Sequence, residues 1–254
     1  MSCRRTLYLL GGVETVRILF AIAMAAATVW SYFLPDIMKF PAPKLAKILM
    51  WHLPNPMLAT SLLMIGAWFS YKFMTTRDLK FDVRAIATME LGYMFCILTM
   101  ATGILFSKAQ WGDWWNNDPR QTSFLLVLLI YAAYFALRGA ITDDVKRAVN
   151  SGGYALAALL PVMFLTFVFP RIPSLAGLHP NDTITGGNIK GEYLYCLLTF
   201  MTLFTILAVW LYRIRVRAGL LELNLEDKKN GLESTVGDPG TAGVVRPVRV
   251  SHEG

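Results

Sequence analysis

The chain has 254 residues, 55% of them hydrophobic and only 16% charged, with a net charge of +7. A soluble domain carries about 25% charged residues, so an ordinary soluble enzyme or binding module is excluded. The excess of Lys and Arg calls for no nucleic-acid partner, because it sorts along the chain as the positive-inside bias of a membrane protein does.

Six apolar blocks are long enough to cross a bilayer, which takes about 20 residues each. They run from Ile18 to Leu34, Leu53 to Tyr71, Ala85 to Ser107, Gln121 to Leu137, Val149 to Pro170 and Tyr193 to Tyr212. None alternates polar and apolar residues as barrel strands do, so the expected fold is all-α, with six transmembrane helices that satisfy their own backbone in lipid. A signal peptide competes for the first block, since Arg4 and Arg5 precede Leu7 to Leu10. Glu14 and Arg17 interrupt that run, and Ile18 to Leu34 exceeds a typical signal core, so a spanning helix is expected instead.

Basic residues set the expected orientation. With the N-terminus inside, the inner side holds Arg4, Arg5, Lys72, Arg77, Lys80, Arg84, Arg138, Lys146, Arg147, Arg213, Arg215 and Arg217, which is 12. The outer side holds Lys39, Lys44, Lys47, Lys108, Arg120, Arg171 and Lys190, which is 7. Both termini are therefore expected in the cytoplasm. Ala218 to Lys229 extends the last helix by an amphipathic turn or two, and residues 230–254, rich in Gly and Pro, read as disordered. The expected division is a six-helix domain over 1–217 and a mostly disordered cytoplasmic tail over 218–254. Cys3, Cys96 and Cys196 form no CxxC pair, so a disulfide framework, a zinc site and self-attached c-type haem are unsupported.

Function then falls to three outer loops. The first, Pro35 to His52, ends in Met50-Trp51-His52 and runs on into Leu53-Pro54. The second, Lys108 to Arg120, carries Trp111, Trp114 and Trp115, which at i, i+3, i+4 share one side of a short helix. Such an indole slab suits a flat apolar macrocycle, with Asp118 and Arg120 at its edge and Arg120 able to pair with a carboxylate. An interfacial aromatic belt accounts for the same tryptophans, and the residues alone leave both readings open. The third loop, Arg171 to Lys190, carries His179. His52 and His179 are the two histidines expected outside, while His252 lies in the tail. Neutral imidazole ligates haem iron axially, but a solvated surface histidine is the ordinary alternative.

Thr102-Gly103 followed by Trp111-Gly112-Asp113-Trp114-Trp115-Asn116-Asn117-Asp118-Pro119-Arg120-Gln121-Thr122-Ser123 resembles the tryptophan-rich signature of the cytochrome c haem-handling superfamily. Six spans with one outer histidine before the signature and one after it resemble its cytochrome c maturation protein C family, also called haem exporter protein C, over roughly Arg17 to Arg217. One position departs, with Asn117 where that family usually has Trp. The resemblance implies a non-enzymatic protein of the bacterial inner membrane that holds b-type haem non-covalently on its outer face. It implies His52 and His179 as iron ligands, and Trp111, Trp114, Trp115 and Asp118 as the platform. Its implied partners are a periplasmic haem chaperone, an ABC-type ATPase with its membrane subunit, and a small single-span subunit. Two alternatives compete. The signature also resembles the larger haem-ligation proteins, which carry further histidines inside the membrane, and Pro119 is shared with some of them. A small-solute or proton carrier would use Glu90, the single acid in the six blocks.

Overall fold

The computed structural model describes residues 2–38, 40–172, 175, 177–179 and 189–236, with side chains described only within 14–229. The described residues are helical wherever they are regular, and six helices are long and apolar enough to cross a membrane. The chain is a multi-pass membrane protein. The helices are α1 (Ser2–Phe33), the single turn α2 (Leu49–His52), α3 (Pro54–Thr76), α4 (Leu79–Trp111), α5 (Pro119–Gly139), α6 (Asp144–Met163) and α7 (Glu192–Val236).

Local chemistry sets most of the boundaries. Pro54 and Pro119 occupy the first positions of α3 and α5, where a missing N–H costs nothing. Asp78, Asp118 and Asp143 cap α4, α5 and α6, each accepting from a backbone N–H of the first turn. Within α6, Pro161 cannot donate to the helix ladder, and the chain widens beyond it into a π-helical turn, Phe164–Val168, then tightens into a 3-10 turn, Phe169–Arg171. Glu14 and Arg17 do not interrupt α1, and the Arg17 guanidinium lies 5.8 Å from the centre of the Trp210 ring on α7.

The centre of the bundle is the α3–α4 pair, with α6 against α3, α5 and α7 against α4, and α1 outside against α7. Small residues let α3 and α4 approach closely. A methyl group at Gly92 would lie 2.8 Å from Leu63 Cδ2, and one at Gly66 would lie 2.9 Å from Met89 Sδ. Away from the histidines, charges knit the helices together. Arg138 of α5 makes paired bonds of 2.9 and 2.6 Å to Asp82 of α4 and one of 3.1 Å to Ser151 of α6. Glu90 accepts two bonds, 2.6 and 3.0 Å, from Arg215 of α7. The one acid available to a carrier is therefore held in an ion pair between α4 and α7. Helix α7 runs unbroken for 45 residues, about 68 Å at 1.5 Å per residue, so residues 218–229 continue it well past a bilayer core of about 30 Å. Residues 237–254, including His252, lie outside the described residues.

Candidate functional site

His52 closes α2, with only Leu53 between it and α3, and falls inside the apolar helical stretch Leu45–Thr76 rather than in a loop beyond it. Its approach is fixed from several sides. Gln110 at the end of α4 clamps the Ala42 backbone, donating to its carbonyl and accepting from its N–H, both at 3.0 Å. Trp51 packs edge-on against Phe200 and Phe204 of α7, with ring centres 5.1 and 5.7 Å apart. His52 Nδ1 lies 2.8 Å from Thr102 Oγ1 on α4. The ring reaches that hydroxyl because the next residue is glycine, where a methyl group would stand 3.2 Å from His52 Cε1.

The tryptophan loop is not the short helix its spacing suggests. Helix α4 ends at Trp111 because Gly112 takes a left-handed conformation, φ +87°. Trp114 and Trp115 therefore leave the Trp111 face, at 55% and 36% exposure. The loop is nonetheless pinned. Asn116 donates to Ser107 Oγ at 2.7 Å and Trp115 Nε1 to Asn117 Oδ1 at 2.9 Å. Asn117 has φ +51°, a conformation that asparagine tolerates better than most residues. That is a local reason for the departure from the family's usual Trp.

Asp118 gathers the loop and the third-loop histidine. Buried at 2% exposure, its carboxylate accepts from Arg120 N at 2.9 Å, Leu178 N at 2.7 Å and His179 Nδ1 at 2.8 Å. Burial alone would raise this carboxyl, but the hydrogen bond and charge of His179, with the two backbone N–H donors, outweigh it and hold the carboxyl well below the usual range. His179 also meets Trp111 edge-on, ring centres 4.8 Å apart, and Trp111 meets Phe106 in the same way at 5.5 Å.

These parts enclose a cavity of about 780 Å³, and its lining includes His52, His179, Trp111, Arg120 and Arg171. The volume is within the range of about 300–1,000 Å³ for small-molecule and cofactor sites. Its remaining walls are mostly apolar, from Phe40, Phe106 and Phe124 among others. Trp114, Trp115 and Asp118 are not in the lining, Asp118 standing behind His179. Chemically, the cavity offers two imidazoles whose charges would repel if both were protonated, an aromatic wall and two guanidinium groups. This donor set fits haem, with imidazole nitrogens that would ligate the iron, apolar surface for the ring and cations for carboxylates. Among the described residues no cluster of three His, Cys, Asp or Glu is placed to hold a bare metal ion.

Sequence reasoning missed three partners. Thr102 stood in the quoted signature without a role, Arg171 counted only as an outer charge, and Asp118 was not connected to His179, 61 residues away.

A sequence model of the Heme exporter protein C family matches residues 5–230. Heme exporter protein C of Paracoccus denitrificans (strain Pd 1222) is 26% identical over 200 residues, 78% of this chain and 81% of the relative. The Bradyrhizobium diazoefficiens protein of that name is 29% identical over 178 residues, 69% of this chain and 66% of the relative. The Rhodobacter capsulatus one is 27% identical over 165 residues, 65% and 66%. A match over nearly the whole helical region, on a six-helix bundle with this cavity, makes the chain a member of the Heme exporter protein C family.

Proposed function

We propose that this chain binds haem at the outer face of the bacterial inner membrane and presents it to a periplasmic haem chaperone during c-type cytochrome maturation. It acts as a haem-handling subunit and not as an enzyme. The observation that carries the reading is that His52 and His179, 127 residues apart in sequence, line one apolar cavity. Each ring has its Nδ1 engaged by the protein, which is how ligating histidines are oriented by their surroundings.

In this reading His52 and His179 hold the iron of non-covalent, b-type haem. Trp111 lies against the ring, and Arg120 and Arg171 meet the propionates by charge-assisted hydrogen bonds. Asp118 keeps His179 in place rather than touching the cargo. Trp114 and Trp115, exposed on the loop that follows the cavity-lining Trp111, face the acceptor. Both termini are cytoplasmic, and an ABC-type ATPase, its membrane subunit and a small single-span subunit are partners, as the family resemblance implies.

The test is haem retention by purified variants. His52→Ala and His179→Ala should each lose most of the haem that wild type retains, and added imidazole should restore part of it. His252→Ala should retain as much as wild type. Full retention with an unchanged spectrum in either outer variant would remove that histidine from the site.

A further inference from the structure

The protein holds its two cavity imidazoles in unlike ways. Thr102 Oγ1 lies 2.8 Å from His52 Nδ1, 2.7 Å from the carbonyl oxygen of Leu98 and 3.3 Å from that of Thr99. A hydroxyl has one proton, and a carbonyl oxygen only accepts. Directing that proton to Leu98 satisfies the carbonyl and leaves Oγ1 as an acceptor, so His52 Nδ1 carries the hydrogen and donates. The opposite assignment would set two oxygens 2.7 Å apart with no proton between them. His179 reaches the same tautomer by different chemistry. Its Nδ1 lies 2.8 Å from Asp118 Oδ1, an oxygen that already accepts from Arg120 N. An ionised carboxylate can only accept.

Each ring therefore has Nε2 as its lone-pair nitrogen, backed by a neutral hydroxyl in one case and an anion in the other. A carboxylate behind a ligating imidazole raises its basicity and fixes its orientation. A hydroxyl whose proton is committed elsewhere supplies orientation with far less electron donation.

We infer, resting on the reading of His52 and His179 as ligands of one iron, that Thr102 and Asp118 are positioning residues that make these ligands unequal. Both rings are held as Nδ1–H tautomers, His179 is the stronger donor, and His52 is the ligand that leaves first when another ligand or an acceptor protein competes. Haem hand-off then begins on the His52 side, with the iron still held by His179.

Two experiments test this. In haem-free protein labelled with ¹⁵N-histidine, at a pH of about 8 where an ordinary imidazole is neutral, both rings should show protonated Nδ1 and unprotonated Nε2. An Nε2–H tautomer at either ring overturns the inference. In ferric haem-loaded protein, cyanide should displace His52. The paramagnetic resonance spectrum of the wild-type cyanide adduct should then match that of the His52→Ala adduct and differ from that of His179→Ala. Thr102→Val should accelerate cyanide entry by about tenfold or more, the scale on which such supporting partners act, and Thr102→Ser should restore the wild-type rate. A wild-type adduct that matches His179→Ala reverses the order and contradicts the inference, as does a wild-type rate in Thr102→Val. A wild-type protein without two histidine ligands overturns the underlying reading and the inference with it, while the haem-free tautomers still report separately on Thr102 and Asp118.

Discussion

The Asp118 carboxylate accepts three N–H donors and, besides capping α5, ties Leu178 and His179 to the tryptophan loop. Because its folded carboxyl is held below the ordinary value, the tether is fully formed above the unfolded value of about 4 and fails only as pH falls further toward the lowered one. Protection of the Leu178 amide against hydrogen exchange, corrected for intrinsic rate, should thus hold steady from about pH 7 to 5 and decline only below about 4. Asp118→Asn should reduce it throughout the range above about pH 4, and equal protection in that variant there would disprove the tether. The exposed indoles make a separate prediction. Replacing Trp114 and Trp115 together with Leu should leave insertion intact and cut haem transfer to the acceptor, and unchanged transfer would make them an interfacial belt. The histidines and tryptophans were legible in the sequence because their residue types are rare and carry chemistry. Thr102 was not, because a threonine in an apolar helix reads as one that bonds back to its own backbone, which it also does. Nor was the Asp118–His179 pair, since no local pattern links residues so far apart.

At the scale of the helix, the spans were legible because bilayer thickness fixes the length of an apolar block. Their ends were not. Helix α4 begins at Leu79, six residues before the apolar block, because Asp78 caps it and its charged first turns stay helical. Helix α7 passes Tyr212 because Arg213, Arg215 and Arg217 are good helix formers. Asp82, on one of those charged turns, meets Arg138 with both side chains only about a tenth exposed, 10% and 12%. Removing one partner of such a pair strands the other and costs about 3–5 kcal/mol when fully buried. Asp82→Ala should therefore lower the thermal midpoint in detergent clearly, and Asp82→Leu with Arg138→Leu should recover much of the loss. A double variant no better than the single would mean that the pair has no mutual role.

For the whole molecule, the proposed orientation rests on the excess of basic residues on one set of loops, 12 against 7, and with it the cavity lined by His52 and His179 is expected on the outer side. Reporter fusions after Arg147 and Arg217 should read cytoplasmic, and one after His179 should read outside. An outside signal at Arg147 would put the tryptophan loop in the cytoplasm and end the account of periplasmic hand-off. The six helical spans follow from composition, whereas the cavity forms only when α3, α4, α5 and the turns after α6 converge, which no single segment records. The central claim is that both histidines grip one iron. Pulsed paramagnetic resonance on ferric, haem-loaded wild-type protein carrying ¹⁵N-histidine tests it most directly. A low-spin centre with two histidine nitrogens coupled to the iron is expected, and a high-spin centre or a single coupled histidine would contradict ligation by both.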